Sequence, residues 1–276
     1  MWNKKVKEPE KLVAIVVAHS NRAHITPAEE ISLRHLNHYL GKYDKYLLIP
    51  ESLEFELPGL MTKRFDDRFF GSMEAHIRML FSSGYYQAFS DYKYILTYHL
   101  DSLVFSDQLE QWCGRDYDFI GAPWVKHPDS PNAGMSYEGK VGNSGFSLKK
   151  VSTFLKILNS PEFALEPGEY WEANHAHRPL PQRLMNYPKR LLMHLHRYNN
   201  VRFELDRWKQ SEELFLVKRA SHYYPDYRVP GIEEALKFAF EIVPRHCYEL
   251  NNHELPFGCH AWERYDKSFW EPYLLT

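Results

Sequence analysis

Continuous apolar runs alternate with amphipathic stretches along this chain, and each change of pattern predicts a change of element. Lys11 to Ser20 (KLVAIVVAHS) is apolar and β-branched at nearly every position until it ends in polar residues. A strand covered on both faces reads this way. ITPAEEISLRHLNHYL then switches to helical spacing, with Ile31, Leu33, Leu36 and Leu40 on a broad inward face. Thr26 predicts the N-cap, Pro27 the first helical position, and Glu29 closes a capping box. KYLLIP (residues 45–50) predicts a second short strand, residues 72–89 a helix, and YKYILTYHLD a third strand. Ser106 is expected to cap a short helix, DQLEQW. YDFIGAPW and GFSL predict strands four and five, and KKVSTFLKIL the helix after them. Strands alternating with helices give an α/β fold, a mostly parallel sheet flanked by helices. Residues 159–200, rich in proline and histidine, predict an irregular insertion. No boundary is visible, so residues 1–276 are expected to form one domain.

Composition adds exclusions. The net charge of −2 encodes no bulk attraction to nucleic acid or to an anionic membrane. Aromatics reach 16%, enough to fill a core or to offer flat faces to sugars and bases. Three cysteines, Cys113, Cys247 and Cys259, have no paired spacing, which fits a reducing compartment. The charged N-terminus has no apolar run suited to a leader, and Leu12 to Ala18 is too short to span a bilayer. A cytoplasmic protein without a transmembrane segment is expected, with attachment at a membrane surface left open.

Ligands of open α/β sheets bind outside the carboxyl ends of the strands. Four polar stretches fall at such places: AHSNRAH, the LDS after YILTYH, the GAPW after YDFI, and VGNSGFSLKK. In ILTYHLDSLVF an aspartate, Asp101, stands between apolar runs, and a carboxylate there must be paired, at the surface, or useful. Gly142 and Gly145 flank Asn143 and Ser144. Glycines let a ligand approach the backbone, and asparagine can both donate and accept; a bulged strand entry reads the same way. In SEELFLVK, Ser211 is an N-cap candidate, and Glu212 and Glu213 suit a helix start. Glu213 equally suits a base held by a rigid helix. His260 follows Gly258 between Phe257 and Trp262, in a structural or a binding role.

Taken in order, YILTYHLDSLVF, DYDFIGAPW, VGNSGFSLKKV, SEELF, EEALKFAFE and LPFGCHAWERYDKSFW resemble a family of glycosyltransferase-like proteins, from Val13 to Tyr273. The family's motifs read as an aspartate after an apolar strand, then GAPW, GNGGFSLR, NEDLFW and PFGCHAW. The resemblance implies the GT-A class, a Rossmann-like α/β fold that binds a nucleotide-diphosphate sugar. It implies transfer of the sugar from a UDP- or GDP-linked donor to a glycan, lipid-linked or other hydroxyl acceptor. Asp101 matches the Asp-x-Asp motif that holds Mn²⁺ or Mg²⁺, but Asp101-Ser102-Leu103 lacks the second acid, and His260 resembles a late metal or diphosphate ligand. Glu213 takes the place of an inverting enzyme's general base, with Glu212 orienting its neighbours. His19, Ser20, Arg22, Arg78, Asp101 and Ser102 are implied on the donor side. Trp124, Gly142, Asn143, Ser144 and Gly145 are implied around the sugar or acceptor, with residues 159–200 as an acceptor-side region.

Two other readings stand beside this one. A non-catalytic nucleotide-sugar or glycan-binding protein would keep the fold and lose the metal. A sugar nucleotidyltransferase calls for a glycine-rich loop after strand one, where AHSNRAHITP has Arg22 and no glycine. No HExxH or comparable zinc spacing occurs, and HAHR and HLHR are expected on a polar surface.

Overall fold

The computed structural model describes residues 9–275; the first eight residues, which carry part of the argument about a leader, lie outside it, as does Thr276. Its strands are β1 (Lys11–Ala18), β2 (Asp44–Pro50), β3 (Met61–Phe65), β4 (Tyr92–His99), β5 (Leu103–Val104), β6 (Phe119–Gly121), β7 (Phe146–Lys150), β8 (Ala239–Phe240) and β9 (Gly258–Cys259). Six of these form one sheet in the order β3-β2-β1-β4-β7-β6. Strands β1 to β4 are parallel, β7 runs antiparallel to β4, and β6 antiparallel to β7. The sheet is therefore mixed and mostly parallel.

Helices cover both faces. They include α1 (Pro27–Leu40), α2 (Met73–Leu80), α3 (Ser83–Gln87), α4 (Leu109–Gly114), α5 (Val151–Leu158), α6 (Pro167–Asn174), α7 (Leu180–Met193), α8 (Val201–Leu205) and α9 (Glu212–Lys218), with four more short helices after them among the described residues. Val13, Ile15 and Val17 of β1 pack with Leu33, Leu36 and Leu40 of α1, while Ala14 and Val16 pack with Met79, Phe89 and Phe154 beyond the opposite face. Alternate residues of a strand point to opposite faces, so burial on both sides is why β1 is apolar at every position.

A second, three-stranded sheet, β5-β9-β8, stitches distant segments together. β9 pairs antiparallel with β5 and parallel with β8.

The first helix starts as expected, with Thr26 and Glu29 bonding each other's backbone N–H groups. Elsewhere the elements depart from the sequence pattern. The helix expected over 72–89 divides, because the Ser82 side chain accepts from Gly84 N–H and restarts a helix there. Ser106 caps nothing: α4 begins after Gln108, and the Ser106 hydroxyl is buried without a partner. Ser211 stands at the N-cap position of α9 but makes no side-chain cap bond. β3 carries no apolar run because it is a half-exposed edge strand. Residues 159–200, expected to be irregular, contain α6 and α7.

Candidate functional site

The main sheet reverses its strand order between β1 and β4, and the crevice beyond that switch point is where α/β folds bind ligands. A cavity of about 480 Å³ lies there. The loop after β1 (His19 to Arg22), the start of α2 (Ser72, Met73, His76) and the end of β4 (His99, Leu100, Asp101) line it.

Both sheets deliver side chains to its rim. His99 ends β4, and its N–H donates to the Gly145 carbonyl at 2.9 Å, which sets Asn143-Ser144-Gly145 beside it at the entry to β7. β8 and β9 run parallel with Phe240 opposite Cys259, so Glu241 and His260 leave the small sheet side by side. β5, two residues after Asp101, pairs with β9 and brings the aspartate to the same place. The result is a chain of contacts: Glu241 Oε1 to His260 Nδ1 at 3.1 Å, and His260 Nε2 to Asp101 Oδ1 at 3.3 Å. Asn143 Nδ2 donates to the same Glu241 oxygen at 2.7 Å, and Asn143 Oδ1 accepts from Gly145 N–H. The His260 ring lies directly over Gly145, where a Cβ would fall inside it, so only glycine fits.

Burial opposes a charge on His260, but Asp101 and Glu241 outweigh it and push the imidazole up to about 10. Burial also works against the Asp101 carboxylate, and the His260 proton prevails, holding it down at about 2. His99 goes the other way: burial, with His260 and His76 beside it, lowers it to about 3, so it is neutral. Its Nε2 is buried without a partner. His76 edges against the His99 ring at 5.6 Å, and burial lowers it to about 4.

His99, Asp101 and His260 can each present one ligand atom within 4.8 Å of the others. A metal-binding histidine commonly donates its second N–H to a carboxylate, the relation Glu241 has to His260. The orphaned His99 nitrogen and this carboxylate fit a bound cation. Two imidazoles and one carboxylate suit Mn²⁺ better than Mg²⁺, which takes oxygen ligands. The candidate partner for Asp101 is His99, the last residue of β4, two residues before it rather than two after.

One residue along from Asn143, the Ser144 hydroxyl donates to Glu213 Oε1 at 2.8 Å. Glu213, half-buried at the start of α9, lines neither the switch-point cavity nor the groove beside it. Its neighbour Glu212 is buried and bonds the Lys149 ammonium of β7 at 2.9 and 3.1 Å. That pair ties α9 to the sheet and fixes the height of Glu213. Asp101, His260 and Asn143 are thus linked by direct contacts and Ser144 joins Glu213 to them, while of the four only Asp101 lines the cavity.

The remaining candidates are placed less uniformly. His19 lines the cavity but stacks on Phe55, and its Nε2–H donates to the Arg22 carbonyl. Ser20 accepts from Arg22 Nε, and the Arg22 guanidinium pairs with Glu29. Ser102 is sealed, with its hydroxyl on the Gly145 carbonyl, because it forms the turn that joins β4 to β5. Trp124 is buried against Gly142 and lines neither opening. Arg78, exposed and paired with Glu74, lines a neighbouring groove of about 830 Å³ with Arg202, Trp208 and Lys209. Phe69 and Met73 border both openings. His76, His99, Lys149 and Glu241 were absent from the sequence candidates; of these His99, Lys149 and Glu241 lay in motifs quoted there, and His76 did not.

A family described as "Protein of unknown function (DUF5672)" matches residues 59–260. The chain belongs to DUF5672. The matched range ends on His260 and includes Asp101, Asn143, Glu213 and Glu241, whereas β1 and the loop carrying His19, Ser20 and Arg22 precede it. No curated protein matches this DUF5672 chain. Among solved structures it is similar to the apo-form glycosyltransferase GlyE of Streptococcus pneumoniae TIGR4, at 15% identity over 96% of this chain, with a TM-score of 0.41. The chain spans 61% of the length of that GlyE structure. It is also similar to a glycosyltransferase involved in the glycosylation of the major capsid of PBCV-1, at 12% identity over 90% of this chain and 92% of that one, with a TM-score of 0.45. At such identities and scores, what the chain does has to be read from its own residues.

Proposed function

We propose that this DUF5672 chain is a glycosyltransferase of the GT-A class. It moves a sugar from a UDP- or GDP-linked donor to an acceptor hydroxyl with inversion. The observation that carries the reading is the Glu241–His260–Asp101 chain, with His99, on the rim of a cavity at the β1/β4 switch point. A nucleotide lies across such a crevice, and positive charge held at its rim meets the diphosphate. His260 is an imidazolium clasped by two carboxylates, which leaves that trio net negative, so the positive charge falls to Arg22 and to a cation bound at the trio. A divalent ion held by His99, Asp101 and His260 would supply charge at the same place and polarise the leaving diphosphate. Arg22, with part of its guanidinium engaged by Glu29, faces the same cavity.

In transfer, the acceptor oxygen forms a bond to the anomeric carbon as the bond from that carbon to the diphosphate oxygen breaks. The bonding pair leaves with the nucleotide, and the sugar passes through a state of oxocarbenium character. Glu213 takes the proton of the attacking hydroxyl, and Ser144 orients its carboxylate. Glu212 acts through the backbone, clamped by Lys149. The groove beside α2 adjoins the donor cavity at Phe69 and Met73, and Trp208 offers an aromatic face for an acceptor glycan.

Nucleotide release across a panel of UDP- and GDP-sugars tests this, together with thermal stabilisation by the bare nucleotides. Absence of any nucleotide or nucleotide-sugar binding would refute it. The position of Glu213 outside both openings favours a second reading, a binding protein without turnover. Glu213→Gln separates the two: a base predicts a fall in kcat of about 10²- to 10⁴-fold at unchanged KM, whereas the binding reading predicts no turnover in either protein and equal affinity.

A further inference from the structure

We propose that α7 and the residues after it dock on an anionic lipid bilayer, with the helix lying in the interface. Leu180, Leu184, Tyr187 and Leu191 recur at i, i+4, i+7 and i+11, the spacing of one helix face. That face is turned outward: Leu180 and Leu184 are each 65% exposed, and neighbouring Met185 is 80% exposed. The helix is held to the protein by buried Met193 on its far side, and along one edge of the stripe by Tyr187 against Trp171 of α6 and by Arg190 over the same indole. The stripe continues past the helix end through Leu195 and Tyr198, both half exposed. A monomer gains nothing in water from a run of large apolar side chains with no partner.

Charge names the occupant. No acidic residue occurs between Glu172 and Glu204, while Arg178, Arg183, Lys189, Arg190, Arg197 and Arg202 all fall there. In a chain whose net charge is −2, this is a local concentration that bulk composition conceals. By helical spacing, Arg183 and Arg190 flank the apolar stripe along one side, and Lys189 lies on the opposite face. Cations beside an outward leucine stripe suit a headgroup layer, where the leucines enter the acyl boundary and the basic groups meet lipid phosphates. A nucleic acid would use the cations and leave the leucines in water. No helix among the described residues is long and apolar enough to cross a membrane, so α7 lies on the surface.

Co-sedimentation with vesicles tests the proposal. The full chain should bind phosphatidylcholine vesicles carrying a minority of phosphatidylglycerol, bind pure phosphatidylcholine more weakly, and lose the difference at high salt. Leu184→Ser and Leu191→Ser, both at exposed positions, should each weaken partition about tenfold while leaving the thermal midpoint unchanged. Arg183→Gln should cost about fivefold on anionic vesicles alone, and Lys189→Gln, on the far face, clearly less. No vesicle binding, or leucine variants that bind as wild type does, would overturn it. So would RNA binding that outcompetes vesicles and ignores the leucine substitutions, which would assign the basic segment to nucleic acid. None of these readouts depends on sugar transfer, so they stand or fall apart from the reading of the active site.

Discussion

The Lys149–Glu212 pair offers the sharpest test of how the site is built, because both side chains are essentially without solvent contact, at 0% and 2% exposure. Lys149→Met keeps the aliphatic stem and removes the ammonium, leaving a carboxylate buried with the Ser144 hydroxyl as its remaining help. Breaking a buried pair by deleting one partner typically costs about 3–5 kcal/mol. The stranded acid has one escape, which is to take up a proton. Burial already drives the Glu212 pKa up, against the pull of Lys149. Without the lysine, the charge penalty is therefore capped by the work of protonating an ordinary glutamate, about 1.4 kcal/mol for each pH unit above ~4.3. That cap is about 3.7 kcal/mol at pH 7 and about 1 kcal/mol at pH 5. A carboxyl whose folded pKa lies above its unfolded value removes stability as pH rises through that window, so the deficit of the variant must grow from pH 5 to pH 7. Urea unfolding of wild type, Lys149→Met and the double variant Lys149→Met/Glu212→Gln measures this. The single variant should melt about 10 °C low at pH 7, and the double variant should recover most of the loss. A deficit that is small, or equal at both pH values, or unrelieved in the double variant, would refute the idea that the pair clamps α9 to the sheet by charge.

Three further outcomes are expected. Gly145→Ala forces a methyl into the His260 ring and should cost sugar transfer about 10²-fold through misplacement of that side chain; Gly114→Ala, where nothing lies within 4 Å, should leave the activity intact in the same nucleotide-release assay. His35 is buried, with Nδ1–H donating to the Val104 carbonyl and Nε2 accepting from Leu275 N–H. Burial lowers its pKa, so its contribution to stability is present above the unfolded value of ~6.5 and lost as pH falls from there; denaturant melts should show this acid-side slope flattened in His35→Gln. Mn²⁺ must displace the proton on His260 Nε2, so its affinity by calorimetry should rise with pH, exceed that for Mg²⁺, and vanish in His99→Ala.

The legible parts of the sequence were those with local causes. β1 announces itself because burial on two faces demands apolar residues throughout, and α1 because Thr26 and Glu29 cap it within four residues. The resemblance picked out Asp101, Asn143, Glu213 and His260, and the fold links them through contacts, with Asp101 alone of the four lining the cavity. What stayed hidden was pairing at long range. Nothing local to Lys149 shows that it meets Glu212, 63 residues on, and a lysine at a strand's end reads as solvent-facing until its partner is known. Ser102 reads as a ligand of the donor by its place beside Asp101, yet the turn into β5 spends its hydroxyl on a backbone carbonyl. β3 escaped notice because an edge strand need bury only half of itself.

On the proposed reading the small sheet supplies what a single-acid motif lacks at this rim. Asp101 alone, more than half exposed at a strand end, would hold a cation weakly. β9 sets His260 against it and β8 sets Glu241 behind His260, so the imidazole answers to two carboxylates from opposite sides. A proton on Nε2, or a metal ion in its place, then puts one positive centre at nearly the same point. On the proposed reading the backbone register of β5, β9 and β8 sets where a proton or a metal ion sits, and a divalent ion would offset the two carboxylates that a proton leaves net negative. On this view Glu241→Gln is more damaging than its distance from the cavity suggests. It removes the charge that holds the His260 tautomer and raises its basicity, weakening the proton and the metal alike.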